Sequence, residues 1–214
     1  MKFLRAVVLA CLCAAGVAST APADPALEAY RTFARSPRGE RLLAVARDAM
    51  CRHWVERAGT PDTTDIPWPG APRGVYVSLS DGQSTRACVG SAAPYRGGLT
   101  ETVRALAVQA LQADRRHAPV RSEELTSLRV VISFAGPPEA VTDPMQIDPG
   151  REGLLISSGT RSVAFLPGEA RTVRWALLEA RRIGILQGPT ESAAYARFPV
   201  VVLAEPLEEP HASP

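Results

Sequence analysis

Arg86 and Cys88 stand two residues apart in the stretch VYVSLSDGQSTRACVG, residues 75–90. On a strand that spacing puts both side chains on one face, about 7 Å apart along the backbone. A guanidinium beside a thiol favours the thiolate, so Cys88 is a candidate nucleophile or redox group. The same guanidinium could hold a carboxylate or phosphate, which makes Arg86 a candidate ligand contact with no catalysis at all. His53, His117 and Glu124 are candidate acids or bases, although spacing alone does not bring them to this stretch. The plainer alternatives are a packed Cys88 and an Arg86 paired with an acid such as Glu124. Cys-x-x-Cys and His-Glu-x-x-His spacings are absent, and one of the three histidines is His211 near the C-terminus, so no metal or other cofactor is expected.

The elements that must position these residues follow from local pattern. Val75, Val77 and Leu79 alternate with Tyr76, Ser78 and Ser80, Asp81-Gly82 supplies a turn, and Thr85–Gly90 returns, which predicts a hairpin. Arg86, Cys88 and Gly90 then share one face and Ala87 and Val89 the other. Upstream, Asp24-Pro25 and Ser36-Pro37 are helix starts, predicting helices over 25–34 and 37–58, the second with Leu42, Leu43, Ala46, Ala49, Met50 and Trp54 on one side. Four prolines between Thr60 and Arg73 predict a surface loop around Trp68. Downstream, a helix is predicted over 100–113, a central strand over 128–135, and a hairpin across Ser158-Gly159-Thr160. A helix through Trp175, Leu178 and Ile183 and a last strand over 198–204 complete the reading. Helices mixed with hairpins predict an α+β fold, mostly antiparallel sheet with flanking helices.

Composition bounds the rest. The chain has 214 residues, 46% hydrophobic, and a formal charge of +2. Residues 1–23 carry a basic start, an apolar run and Ala21-Pro22-Ala23, the parts of a secretory signal, so the expected product begins at Asp24 and is periplasmic or secreted. Lys2 and Arg5 leave with that leader, and 22 arginines then face 22 acids. A neutral chain is not built to attract nucleic acid or an anionic membrane, and no stable span is expected after cleavage. Cys11 alternatively marks a lipid-attachment site. Export would leave Cys51 and Cys88, which an oxidising compartment allows to pair across 36 intervening residues or which stay as free thiols. The expected layout is a leader (1–23), an extension (24–37), one domain (38–204) and a disordered acidic, proline-rich tail (205–214).

Read together, Thr85-Arg86-Ala87-Cys88-Val89-Gly90 after Val75-Tyr76-Val77-Ser78-Leu79 resembles the Leu-Arg-Gly-Cys-Ile-Gly hallmark of the AMMECR domain family. That family takes its name from the Alport syndrome, midface hypoplasia and elliptocytosis chromosomal region. Asp114, Arg116, Pro119, Glu124 and Leu125 echo a second family phrase, with His117 at a phenylalanine position. Gly150, Gly153 and Leu154 echo a third, with Glu152 where the family has histidine. Leu166, Pro167, Ala170 and Trp175 match a fourth. The resemblance spans residues 38–204 by motif order and implies a two-part α+β domain with a cleft. It makes Gly90, Asp114, Arg116 and Glu124 candidate ligand-binding residues beside Arg86. It also implies association with a Memo-type protein and a radical enzyme, a cytoplasmic pairing from which an exported copy would be separated. Ala87, for glycine, adds a Cβ at the hallmark, and Glu152 replaces a proton-transfer group with an acid.

Three functions remain compatible with these residues. The first is an exported module binding a small acidic ligand or peptide in a cleft lined by Arg86. The second is an enzyme using Cys88, and the third is an envelope scaffold presenting a surface.

Overall fold

Two four-stranded antiparallel sheets form the centre, each backed by helix on its outer side. The computed structural model describes residues 25–54 and 65–206. The leader (1–23), the end of the second predicted helix, the start of the proline-rich loop and tail residues 207–214 lie outside them. Among the described residues no helix is long and apolar enough to cross a membrane.

The first sheet has the order β2-β1-β3-β8, from β1 (Gly74–Ser80), β2 (Thr85–Ser91), β3 (Arg129–Ala135) and β8 (Val200–Ala204). Helices α1 (Pro25–Ala34), α2 (Pro37–Trp54) and α3 (Leu99–Gln112) cover one face. Tyr30, Phe33, Leu42, Met50, Leu99 and Leu111 pack there on Val75, Val77, Leu79, Ala87, Ile132 and Phe134. The second sheet has the order β4-β7-β5-β6, from β4 (Glu139–Val141), β5 (Gly153–Ser158), β6 (Arg161–Phe165) and β7 (Ala194–Phe198). Helix α4 (Val173–Arg182) buries Val173, Ala176, Leu177 and Ala180 against it. The inner faces of the two sheets meet through Tyr76, Cys88 and Ala135 on one side and Leu155, Ala164 and Phe198 on the other. Tyr76 and Phe198 stack with ring centroids 6.3 Å apart.

The α+β reading, the hairpin of residues 75–90 and the central place of β3 all hold. The predicted last strand over 198–204 is instead two strands in different sheets. Pro199 interrupts it, since it has no N–H to continue a ladder, and its carbonyl accepts from Gly136 N at 2.8 Å. The connection after β3 contains β4, paired with β7. Its three residues alternate too briefly to signal a strand. Trp175 and Leu178 are 44% and 63% exposed, so the buried stripe of α4 runs through its alanines instead. Glu205, placed at the head of the tail, is tied down: its carboxylate pairs with Arg47 and accepts from Val130 N.

Candidate functional site: a cleft between two sheet edges

Strand β2 is an edge of the first sheet and β6 an edge of the second. Between them opens a cleft of about 200 Å³. Cys88, Val89 and Gly90 form one wall and Ser162, Val163 and Ala164 the other. The turn after α3 (Ala113–Arg116) and the turn after α4 (Ile183, Ile185) close the ends, and Tyr76 contributes to the lining.

Asp114 ties the turn to β2. Its carboxylate accepts from Cys88 N at 2.8 Å and from its own turn at Arg116 N, also 2.8 Å, and it meets His117 Nδ1 at 3.1 Å. The Arg116 guanidinium lies between Asp114 (3.3 Å) and Glu169 (3.0 Å) and over the Phe165 ring. The side chains of Arg116 and Glu169 are only 8% and 5% exposed. Burial alone would raise an acid such as Asp114, but the Arg116 charge and these N–H donors hold it below the usual carboxylate range. Burial likewise works against the Arg116 charge, and Glu169 leads the groups that keep it firmly protonated. Glu169 Oε2 also accepts from Leu166 N, while Oε1 is buried with no partner among the described residues.

Cys88 is buried beside this cluster, and burial, followed by the charge of Glu169, pushes its thiol well above the ordinary range. A nucleophilic cysteine needs the opposite environment. Cys51 and Cys88 are both free thiols. The disulfide considered from sequence is not formed, because the first sheet stands between them. Cys51 packs on the helix side of that sheet and Cys88 on the face turned to the second sheet. Alkylation of the native protein at pH 8 with peptide mapping should label half-buried Cys51 and leave Cys88 unmodified until denaturant is added.

Arg86 shares the face of Cys88, as the alternation predicts, yet it does not line the cleft. Its Nε and one terminal nitrogen reach Glu124 at 2.7 and 3.2 Å, and its terminal nitrogens donate to the carbonyls of Ala118 and Pro119. This clasp fastens residues 118–124 to β2. The Arg86 hydrogen bonds, then those from Arg121, bring the Glu124 pKa down to about 2. Of the residues singled out from sequence, the fold gathers Cys88, Gly90, Asp114 and Arg116 at the cleft and puts Arg86 and Glu124 in the clasp. His53 instead bonds Gln112 at 2.8 Å, away from the cleft.

Sequence reasoning singled out neither Arg115 nor Glu169 nor the β6 wall. Arg115 is exposed at the cleft, and no ion-pair or hydrogen-bond partner for it is found among the described residues. Glu169 had one usable signal, its place inside the Leu166–Ala170 phrase. Among the described residues no group of three or more His, Cys, Asp or Glu side chains is placed to hold a metal.

Comparison with known proteins identifies the family of the chain. A Thermococcus kodakarensis protein is 34% identical over 142 residues, 60% of this chain and 68% of that protein. A Thermotoga maritima protein is 34% identical over 96 residues, 44% of this chain, and is matched over about half its own length, 55%. The crystal structure of an uncharacterized protein from Pyrococcus horikoshii superposes with a TM-score of 0.57 at 26% identity, covering 77% of this chain and 90% of that one. The AMMECR1 family profile matches residues 43–193, which include β2, the Asp114 turn, Glu169 and both walls of the cleft, and this chain therefore belongs to the AMMECR1 family.

Proposed function

We propose that the domain is a binding module that takes a small acidic ligand or acidic peptide in the cleft between β2 and β6, with Arg115 as the anion contact. The observation that carries this reading is the contrast among three arginines. Arg86 is held by Glu124 and two carbonyls, and Arg116 by Asp114 and Glu169. Arg115 alone of the three faces the cleft exposed, without a carboxylate of its own. A guanidinium so placed offers a forked pair of donors to an incoming carboxylate. The Asp114–Arg116–Glu169 cluster sets the turn that aims it. Cys88 is part of the cleft floor in this reading, not its reactive group.

N-acetyl-valine, a carboxylate small enough for the cleft, is a suitable calorimetric probe. Arg115→Gln should weaken its binding about tenfold or more, the loss of one charge-assisted contact of about 1.5 kcal/mol. Arg86→Gln should change it far less. Equal affinities in wild type and Arg115→Gln would remove the basis for the reading. The leader further supports export of this module, a reading that N-terminal sequencing of the protein recovered from cells would sustain at Asp24 and refute at Met1.

A further inference from the structure

The geometry points to a more specific occupant, resting on the cleft reading above: the C-terminal end of a peptide, added as a short strand to the outer edge of β2, its terminal carboxylate on Arg115. Cys88 N donates to Asp114, a side chain beyond the sheet, so Cys88 turns its peptide groups to the open edge. In an antiparallel strand this orientation recurs at every second residue, which turns the N–H and C=O of Gly90 outward as well. Gly90 is exposed at that edge. On the inner side a Cβ at Gly90 would fall 2.2 Å from Val75 O, so β1 fills that side completely. One outward N–H of β2 is thus already satisfied by a carboxylate of the chain itself, and the next one along opens into the cleft.

The facing wall, β6, is also an edge strand, and Ala164, on its face turned to the first sheet, presents a small aliphatic side chain there. An extended chain lying between two sheet edges gains main-chain hydrogen bonds from one and side-chain contact from the other, the usual terms of strand addition. The cleft, about 200 Å³ and open to solvent, has room for the last one or two residues of a chain. Arg115 supplies the charge that a terminal carboxylate complements, and the apolar wall suits a small aliphatic last residue.

Four probes test this on the full chain by titration of backbone amide signals: the acetylated tetrapeptide Gly-Gly-Val-Val with a free carboxylate, the same peptide amidated, the free acid methylated on its last peptide nitrogen, and an amidated peptide with aspartate in its interior. The free acid should shift Gly90, Arg115 and Ala164, and bind about tenfold or more tighter than either modified form, each lacking one strong polar contact. It should also outbind N-acetyl-valine, which keeps that last N–H but has no further main chain to pair with β2. An interior aspartate binding as tightly as the free end would overturn the chain-end assignment. N-acetyl-valine matching the tetrapeptide, with no effect of methylation, would overturn strand addition and leave the carboxylate cleft standing. If no probe perturbs Gly90 or Arg115, both readings fall.

Discussion

Arg116→Met should lower the stability of the domain by about 3–5 kcal/mol, the usual result of stripping the partner from a buried charge. Asp114 and Glu169 would be left facing each other in a site where their side chains are each 5% exposed. The pH dependence separates this cause from simple loss of packing. In the wild type, Asp114 has a depressed pKa, so its contribution is present above the ordinary aspartate value and is lost as pH falls through the lower folded value. In Arg116→Met the orphaned Asp114 carboxylate, left with its burial but without the Arg116 charge, gains a proton more readily than in the unfolded chain. The deficit should therefore be largest at neutral pH and shrink toward pH 4, measured by urea unfolding at both. Replacing all three charges together (Asp114→Asn, Arg116→Met, Glu169→Gln) should recover part of the loss, because no isolated ion remains. A deficit independent of pH would mean that Arg116 acts through its stem and its Phe165 contact alone.

Gly90→Ala should cost about 1–3 kcal/mol or more through overpacking. The new methyl would meet Val75 O at 2.2 Å and Tyr76 Cα and Cδ1 at 2.6 Å, and φ at this residue is +157°. Those neighbours are backbone of a strand paired on both sides, and an aromatic ring stacked on Phe198, so neither can retreat cheaply. Gly97→Ala is the matched control: its Cβ would touch only Thr102 Oγ1 at 3.7 Å, and its effect should stay within about 0.5 kcal/mol. Thermal unfolding of the two variants side by side decides the point. A mild Gly90→Ala would show that β1 and β2 can part at the cleft.

The hairpin of β1 and β2 was legible because a period of two, an Asp-Gly turn and β-branched residues all agreed along one short stretch. The same period correctly put Arg86, Cys88 and Gly90 on one face. It could not show that Arg86 turns away to clasp Glu124 while Cys88 is covered by the second sheet, because both outcomes depend on contacts between residues far apart in sequence. The cleft was invisible for the same reason. Its walls, β2 and β6, lie about seventy residues apart in different sheets and meet only because those sheets pack on each other. Arg115 and Arg116 are adjacent residues of one type, yet Arg116 is buried between two carboxylates and Arg115 stands exposed beside it. Motif order identified the turn; only three dimensions told its two arginines apart.

The central claim is that Arg115, not Arg86 or Cys88, is the group that meets a ligand. Mapping backbone amide shifts during titration of the full chain with N-acetyl-valine tests it most directly. Shifts confined to Gly90, Arg115 and the Ser162–Ala164 wall, lost in Arg115→Gln and retained in Arg86→Gln, are the predicted result. Shifts centred on the Arg86–Glu124 clasp, or a cleft pattern unchanged in Arg115→Gln, would contradict it.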